Sequence, residues 1–149
     1  MTRNKETADL NDLIEVLNDG KSFYEEAANK VKSDLASVFK RMARTKGAIA
    51  ADLSGKVASR GGKPASGGTL SGTMRKLYAE ARTSVAGDRE AEFVKQLEEF
   101  EDRILEAFRE SVEHSDDAGV REIALRYLPE VTRDHNDMRA LKKIQQASA

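Results

Sequence analysis

The sequence has no cysteine and no tryptophan, only two prolines and two histidines, and just 5% aromatic residues. Without cysteine it can form no disulfide, iron–sulfur cluster, zinc–thiolate site or thiol nucleophile. With two imidazoles, any metal centre has to be mostly carboxylate. No apolar run approaches the roughly 20 residues of a membrane helix, and the opening Met1-Thr2-Arg3-Asn4-Lys5-Glu6 has no apolar core behind it, so neither a span nor a leader is expected. The charge is also poor in one sign. Twenty-five basic and 26 acidic residues leave a net charge of -1, which gives no global field to draw the chain onto nucleic acid or anionic lipid. What is present is a chain of 149 residues, 39% hydrophobic and 34% charged, long enough for one core. This composition favours helices over a sandwich or barrel. One cytoplasmic all-α domain spanning 1–149 is expected.

Apolar residues mark out four long helices. Leu10, Leu13, Ile14, Leu17, Tyr24, Ala27, Ala28 and Val31 follow a 3.6-residue rhythm, predicting a first helix over about 8–32 with Thr7 as its N-cap. Leu35, Phe39, Met42, Ile49, Leu53 and Val57 predict a second over about 34–59, stopped by Gly61-Gly62-Lys63-Pro64. Phe93, Leu97, Phe100, Ile104, Leu105, Phe108 and Val112 predict a third over about 89–114, and Ile123, Ala124, Tyr127, Leu128, Val131, Met138, Leu141 and Ile144 a fourth over about 118–146. The links within each pair are short, a residue or two in the first case, so each pair forms an antiparallel hairpin. Residues 60–87 join the hairpins. They hold a Gly-rich loop and then a short amphipathic helix over about 70–85, marked by Leu70, Met74, Leu77, Tyr78, Ala81 and Val85. A link of that length can cross the whole bundle, so the second and third helices run parallel. Two tight hairpins joined by one long crossover define a ferritin-like four-helix bundle. Pro129 predicts a kink or break in the fourth helix, and Gly20 and Gly47 predict close helix packing. Phe23 and Phe93, beside the main stripes, suggest a second apolar strip for self-association.

The first helix carries a more specific likeness. Leu10-Asn11-Asp12-Leu13-Ile14-Glu15-Val16-Leu17-Asn18-Asp19-Gly20, followed by Phe23-Tyr24-Glu25-Glu26-Ala27-Ala28, resembles the opening helix of a bacterial family of uncharacterised four-helix-bundle proteins. That family is a domain-of-unknown-function group in the ferritin-like, rubrerythrin-related superfamily. Looser matches are Phe39-x-x-Met42-Ala43, Gly61-Gly62-x-Pro64, Glu101-Asp102 with Phe108, and His135 with Ala140-Leu141. The resemblance implies the bundle fold, a distant kinship with di-iron carboxylate proteins, a homodimer and no assigned activity.

A di-iron bundle needs a Glu from each of two helices and Glu-x-x-His from each of the other two. Neither Glu-x-x-His is present: the second helix reads Thr45-Lys46-Gly47-Ala48-Ile49, and Thr132 stands three residues before His135. Four polar residues nonetheless lie on or near dry faces. Glu25 is next to Tyr24, Lys46 lies between Met42 and Ile49, Glu101 between Leu97 and Ile104, and His135 between Val131 and Met138. Buried together unpaired they would cost several kcal/mol. The economical reading is a buried network in which the Lys46 ammonium balances Glu101 or Glu25 and His135 adds a hydrogen bond. Glu25 and Lys46 have the alternative of snorkelling to solvent, and His135 that of an ordinary boundary histidine.

The sequence therefore points to a non-catalytic bundle of unassigned role, with stress-related or scaffolding duty, no catalytic residue and no cofactor. The competing reading is a metal-binding protein, with oxidase or metal-handling activity, holding iron or another divalent ion through Glu25, Glu101 and His135. No nucleotide-binding glycine motif is present. Arg3 and Lys5 are offset by Glu6 and Asp9, which argues against a DNA-binding arm. The basic edge of residues 69–86 is explained by a crossover helix packed on its own bundle, without lipid.

Overall fold

A computed structural model describes residues 2–68, 79 and 89–147. Four helices account for almost all of them: α1 (Thr2–Ala28), α2 (Ser33–Ser59), α3 (Arg89–His114) and α4 (Ala118–Ala147), with no strand among the described residues. The short helix expected over 70–85 falls outside the described residues. The α1–α2 link comprises residues 29–32, longer than expected because α1 ends at Ala28. At its other end α1 starts at Thr2, so Thr7 lies inside the helix and does not cap it. The first turns hold no apolar residue, so hydrophobic rhythm had nothing to report there. Arg3, Lys5 and Glu6 are nonetheless good helix formers.

Cross-helix contacts fix the directions. Lys46 on α2 meets Asp134 on α4, and Asp52 on α2 meets Tyr127 further back along α4, so these two are antiparallel. Asp9 near the start of α1 accepts a hydrogen bond from Ser115 beyond the end of α3, at 3.1 Å. The backbone N–H of Lys32, just past α1, donates to Glu90 at the start of α3, at 2.6 Å. Hence α1 and α3 are antiparallel, and α2, also antiparallel to α1, runs parallel to α3. The described part of the crossover begins that traverse. Asn11 donates to the Lys63 carbonyl at 3.0 Å and accepts from the Ala65 N–H at 2.8 Å. Two turns further along α1, Asn18 donates to the Gly67 carbonyl at 3.1 Å. The segment that carries the family likeness is thus also the one that holds the crossover against the bundle.

Helix ends follow local chemistry. Gly61 adopts φ 77°, and the N–H groups of Gly61 and Gly62 reach back to the carbonyls of Ala58 and Val57. That is a Schellman stop, whose left-handed residue favours glycine. Asp117 starts α4 by accepting from the Val120 N–H at 2.9 Å, satisfying one of the free donors of the first turn.

The core runs the full length of the bundle. At Gly20 the side chains of α3 pack directly on α1: a Cβ there would sit 2.9 Å from Phe100 Cε1 and 3.2 Å from Ile104 Cδ1. Gly47, by contrast, meets only the flexible stem of Lys21. Phe23 and Phe93 do not form an outer apolar strip. They are 5% and 0% exposed, and Phe23 meets Phe93 and Phe100 edge-on, with ring centroids 6.3 and 6.2 Å apart. Pro129 does not break α4. It lies on the exposed face close to Leu125, where water can solvate the carbonyl that loses its donor.

Candidate functional site

Midway along the bundle, each of the four helices sends one polar side chain inward: Tyr24 from α1, Lys46 from α2, Glu101 from α3 and Asp134 from α4. All four are buried. The Lys46 ammonium lies 2.7 Å from Glu101 Oε2 and 3.0 Å from Asp134 Oδ2. The Tyr24 hydroxyl donates to the same Glu101 oxygen. Lys46 Nζ also stands 5.4 Å from the Tyr24 ring centroid, within cation–π range. Phe39 also packs on that ring, tilted, with centroids 5.8 Å apart.

This set differs from the expected one at two of four positions. Lys46 and Glu101 do come together. Glu25 does not join them: it is exposed and pairs with Lys21 at 3.7 Å along α1. His135 stands on the outer side of the α3–α4 contact, hydrogen-bonded to Asp102, with 12% of its side chain exposed. In both cases an adjacent residue takes the inward place, Tyr24 for Glu25 and Asp134 for His135. One step along a helix turns a side chain by about 100°, enough to move it from core to edge. For the same reason the trio Glu25, Glu101 and His135 cannot hold one metal ion.

The electrostatics follow from one cation facing two acids. Burial pushes the Glu101 carboxyl above its ordinary value, while the Lys46 ammonium and the hydrogen bonds from Lys46 and Tyr24 hold it back. Its other oxygen, Oε1, is buried with no hydrogen-bond partner among the described residues. Burial, and then the negative charge of Glu101, push the Tyr24 phenol well above 10. At the α2–α4 contact the part-buried Tyr127 donates to Asp52, and partial burial with that bond raises its phenol to about 12.

These shifts set a pH dependence. An acid whose folded value is raised leaves the folded chain holding the extra proton, so stability falls as pH rises through the window between the two values. For Glu101 that window opens at 4.5, and for the two tyrosines at 10.0. Urea midpoints are therefore expected to drop as pH rises from 9 to 11, and Tyr24→Phe to show a smaller drop over the same interval. An equal drop in the variant would contradict the burial argument for Tyr24.

The fit to a di-metal centre can be judged from the same atoms. The space between the inward acids of α3 and α4 holds an ammonium, and the groups offered by α1 and α2 are a phenol donating its proton and a lysine. Neither arrangement leaves a carboxylate from α1 or α2, nor an imidazole from any helix, facing that space. The residues do not fit a di-iron site.

Fold and core together define a ferritin-like all-α bundle whose polar centre sets one ammonium against two carboxylates. Residues 5–114 match the family described as a domain of unknown function, DUF2383, and the chain belongs to that family. Two solved structures share the fold. A conserved hypothetical protein, Rv2844, from Mycobacterium tuberculosis is 15% identical, with TM-score 0.72 over 93% of this chain and 97% of that one. A point mutant of Dps1 from Mycobacterium smegmatis is 18% identical, with TM-score 0.72 over 95% of this chain and 97% of that one. No functionally curated protein matches the sequence significantly. No helix among the described residues is long and apolar enough to cross a membrane.

Proposed function

We propose that this chain is a cytoplasmic, non-catalytic ferritin-like bundle, serving a scaffolding or stress-related role, in which a lysine has replaced the metal of the di-iron proteins. The single observation that carries this reading is the Lys46 ammonium between Glu101 and Asp134. A divalent cation bridging inward carboxylates and a buried ammonium answer the same electrostatic need, and one excludes the other by charge and by volume. A bundle whose core no longer needs a cofactor keeps four rigid helices for presenting a surface to partners.

The test is aerobic oxidation of ferrous iron by protein purified without a His-tag. The expected rate equals that of buffer alone, and Glu101→Gln leaves it unchanged. Acceleration that Glu101→Gln abolishes would overturn the reading. Homodimer formation, implied by the family likeness, belongs to the same proposal. Among the described residues the exposed large apolar side chains are Leu125 and Ile144, 56% and 62% exposed on α4, which a second copy would cover. A single 16-kDa species in light scattering at tens of micromolar would contradict it.

A further inference from the structure

His135, outside the core, opens another possibility at the α3–α4 contact. Glu98 and Asp102 are four apart on α3, so they share a face, and His135 on α4 stands opposite. One carboxylate oxygen from each acid and a ring nitrogen of His135 all lie within 4.8 Å of one another. The floor is sheltered and the mouth is open: the side chains of Glu98, His135 and Asp102 are 11%, 12% and 54% exposed. Two shallow clefts, about 460 and 420 Å³, meet at Asp102 and His135 and give water access from either side.

From this geometry we infer that Glu98, Asp102 and His135 form a mononuclear site for a divalent first-row transition cation, with water completing the coordination. Three protein ligands plus an open position is the usual arrangement of an exposed zinc site. Metal–ligand bonds of about 2.0–2.2 Å place tetrahedral donors about 3.4 Å apart, so no donor has far to move. The Glu98 oxygen is within 4.8 Å of the other two. His135 and Asp102, already in hydrogen-bond contact, have only to open slightly and give up the proton they share. An imidazole among three donors selects zinc or cobalt over magnesium and calcium, which prefer all-oxygen shells. The site shares no residue with the Lys46 network.

A local cation competes for it. Lys142 Nζ lies 3.3 Å from Glu98 Oε2, and its side chain is 32% exposed. An incoming metal has to displace that ammonium, which can swing into water on its flexible stem. Removing it therefore strengthens metal binding, the reverse of the effect expected if Lys142 only stabilises the fold.

The experiment is titration of the full, tag-free chain with Co2+, followed by its visible absorption and by displacement with Zn2+. One cobalt per chain is expected, with Mg2+ unable to compete. Loss of a group merely supporting a ligand costs about 10–100-fold in affinity, so His135→Ala and Asp102→Asn are expected to weaken binding at least that much. Asp102 is exposed enough that its variant folds even if His135→Ala does not. Lys142→Met binds more tightly, and Glu101→Gln binds as the wild type does. No cobalt spectrum, equal competition by Mg2+, or unchanged affinity in Asp102→Asn would overturn the assignment. A spectrum abolished by Glu101→Gln would place the metal in the core, overturning this site and the Lys46 reading together. Failure here with an intact Lys46 network leaves the proposed function standing.

Discussion

Lys46→Met is expected to destabilise the protein by about 3–5 kcal/mol at neutral pH, the range for breaking a buried ion pair by removing one partner. Methionine fills much the same volume, so little of this loss comes from packing. The cost is that Glu101 and Asp134 stay in the core with no cation between them. For a chain of this size the melting temperature falls by about 2–4 °C per kcal/mol, hence by roughly 10 °C. Adding Glu101→Gln to Lys46→Met removes one stranded charge and is expected to recover a substantial part of the loss. The double variant is then more stable than the single one, although it carries more substitutions. Urea denaturation of the four species in the cycle checks this. A neutral Lys46→Met would mean that the ammonium contributes nothing to the fold.

Phe100→Ala is the second large effect, at about 3–5 kcal/mol, because a fully buried ring is removed and the helices around it relax only in part. The position has an unusual partner. A side chain at Gly20 would run into Phe100, so Gly20→Leu alone overpacks the contact and is expected to cost about 1–3 kcal/mol. Combined with Phe100→Ala, the leucine grows into the space the ring has left. The double variant should therefore be more stable than the sum of the two losses predicts, by more than the roughly 0.5 kcal/mol at which non-additivity becomes meaningful. Strict additivity by urea denaturation would show that Gly20 and Phe100 do not share one space.

How the fold is legible in the sequence, and where the site is not, comes down to one periodicity. Along α4, Val120, Ala124, Tyr127, Val131, Asp134, Met138 and Leu141 advance by alternating steps of four and three, the heptad rhythm of a bundle seam. Leu97, Glu101, Ile104 and Phe108 do the same on α3, and Met42, Lys46, Ile49 and Leu53 on α2. Lys46 and Glu101 are legible because they occupy seam positions. Glu25 and His135 stand one place beyond Tyr24 and Asp134, on the edge of the stripe. His135 is four after Val131 and three before Met138, while Asp134 is three after and four before. Local spacing cannot separate the two. The whole seam can, since only Asp134 continues the alternation that starts at Val120. A di-iron centre would ask for an imidazole at that height, whereas the Lys46 ammonium asks for hydrogen-bond acceptors, which Glu101 and Asp134 supply.

The helix ends show the complementary limit. The end of α2 is legible because Gly61 and Gly62 supply its stop. The first turns of α1 offer no such signal, and there the helix rests on the propensity of polar residues alone. Pro129 shows a local rule overridden by context: its lost hydrogen bond lies on the wet side of α4, so the helix continues past it.

Charge balance in the core requires the Lys46 side chain to be a protonated, hydrogen-bonded ammonium held away from water. Nitrogen-15 NMR of the lysine side chains at neutral pH reports this directly. One ammonium signal is expected to persist where the surface lysines are lost to rapid exchange, to vanish in Lys46→Met and to move in Glu101→Gln. If Lys46 instead exchanges with solvent as fast as the exposed lysines, the buried cation at the centre of this bundle does not exist.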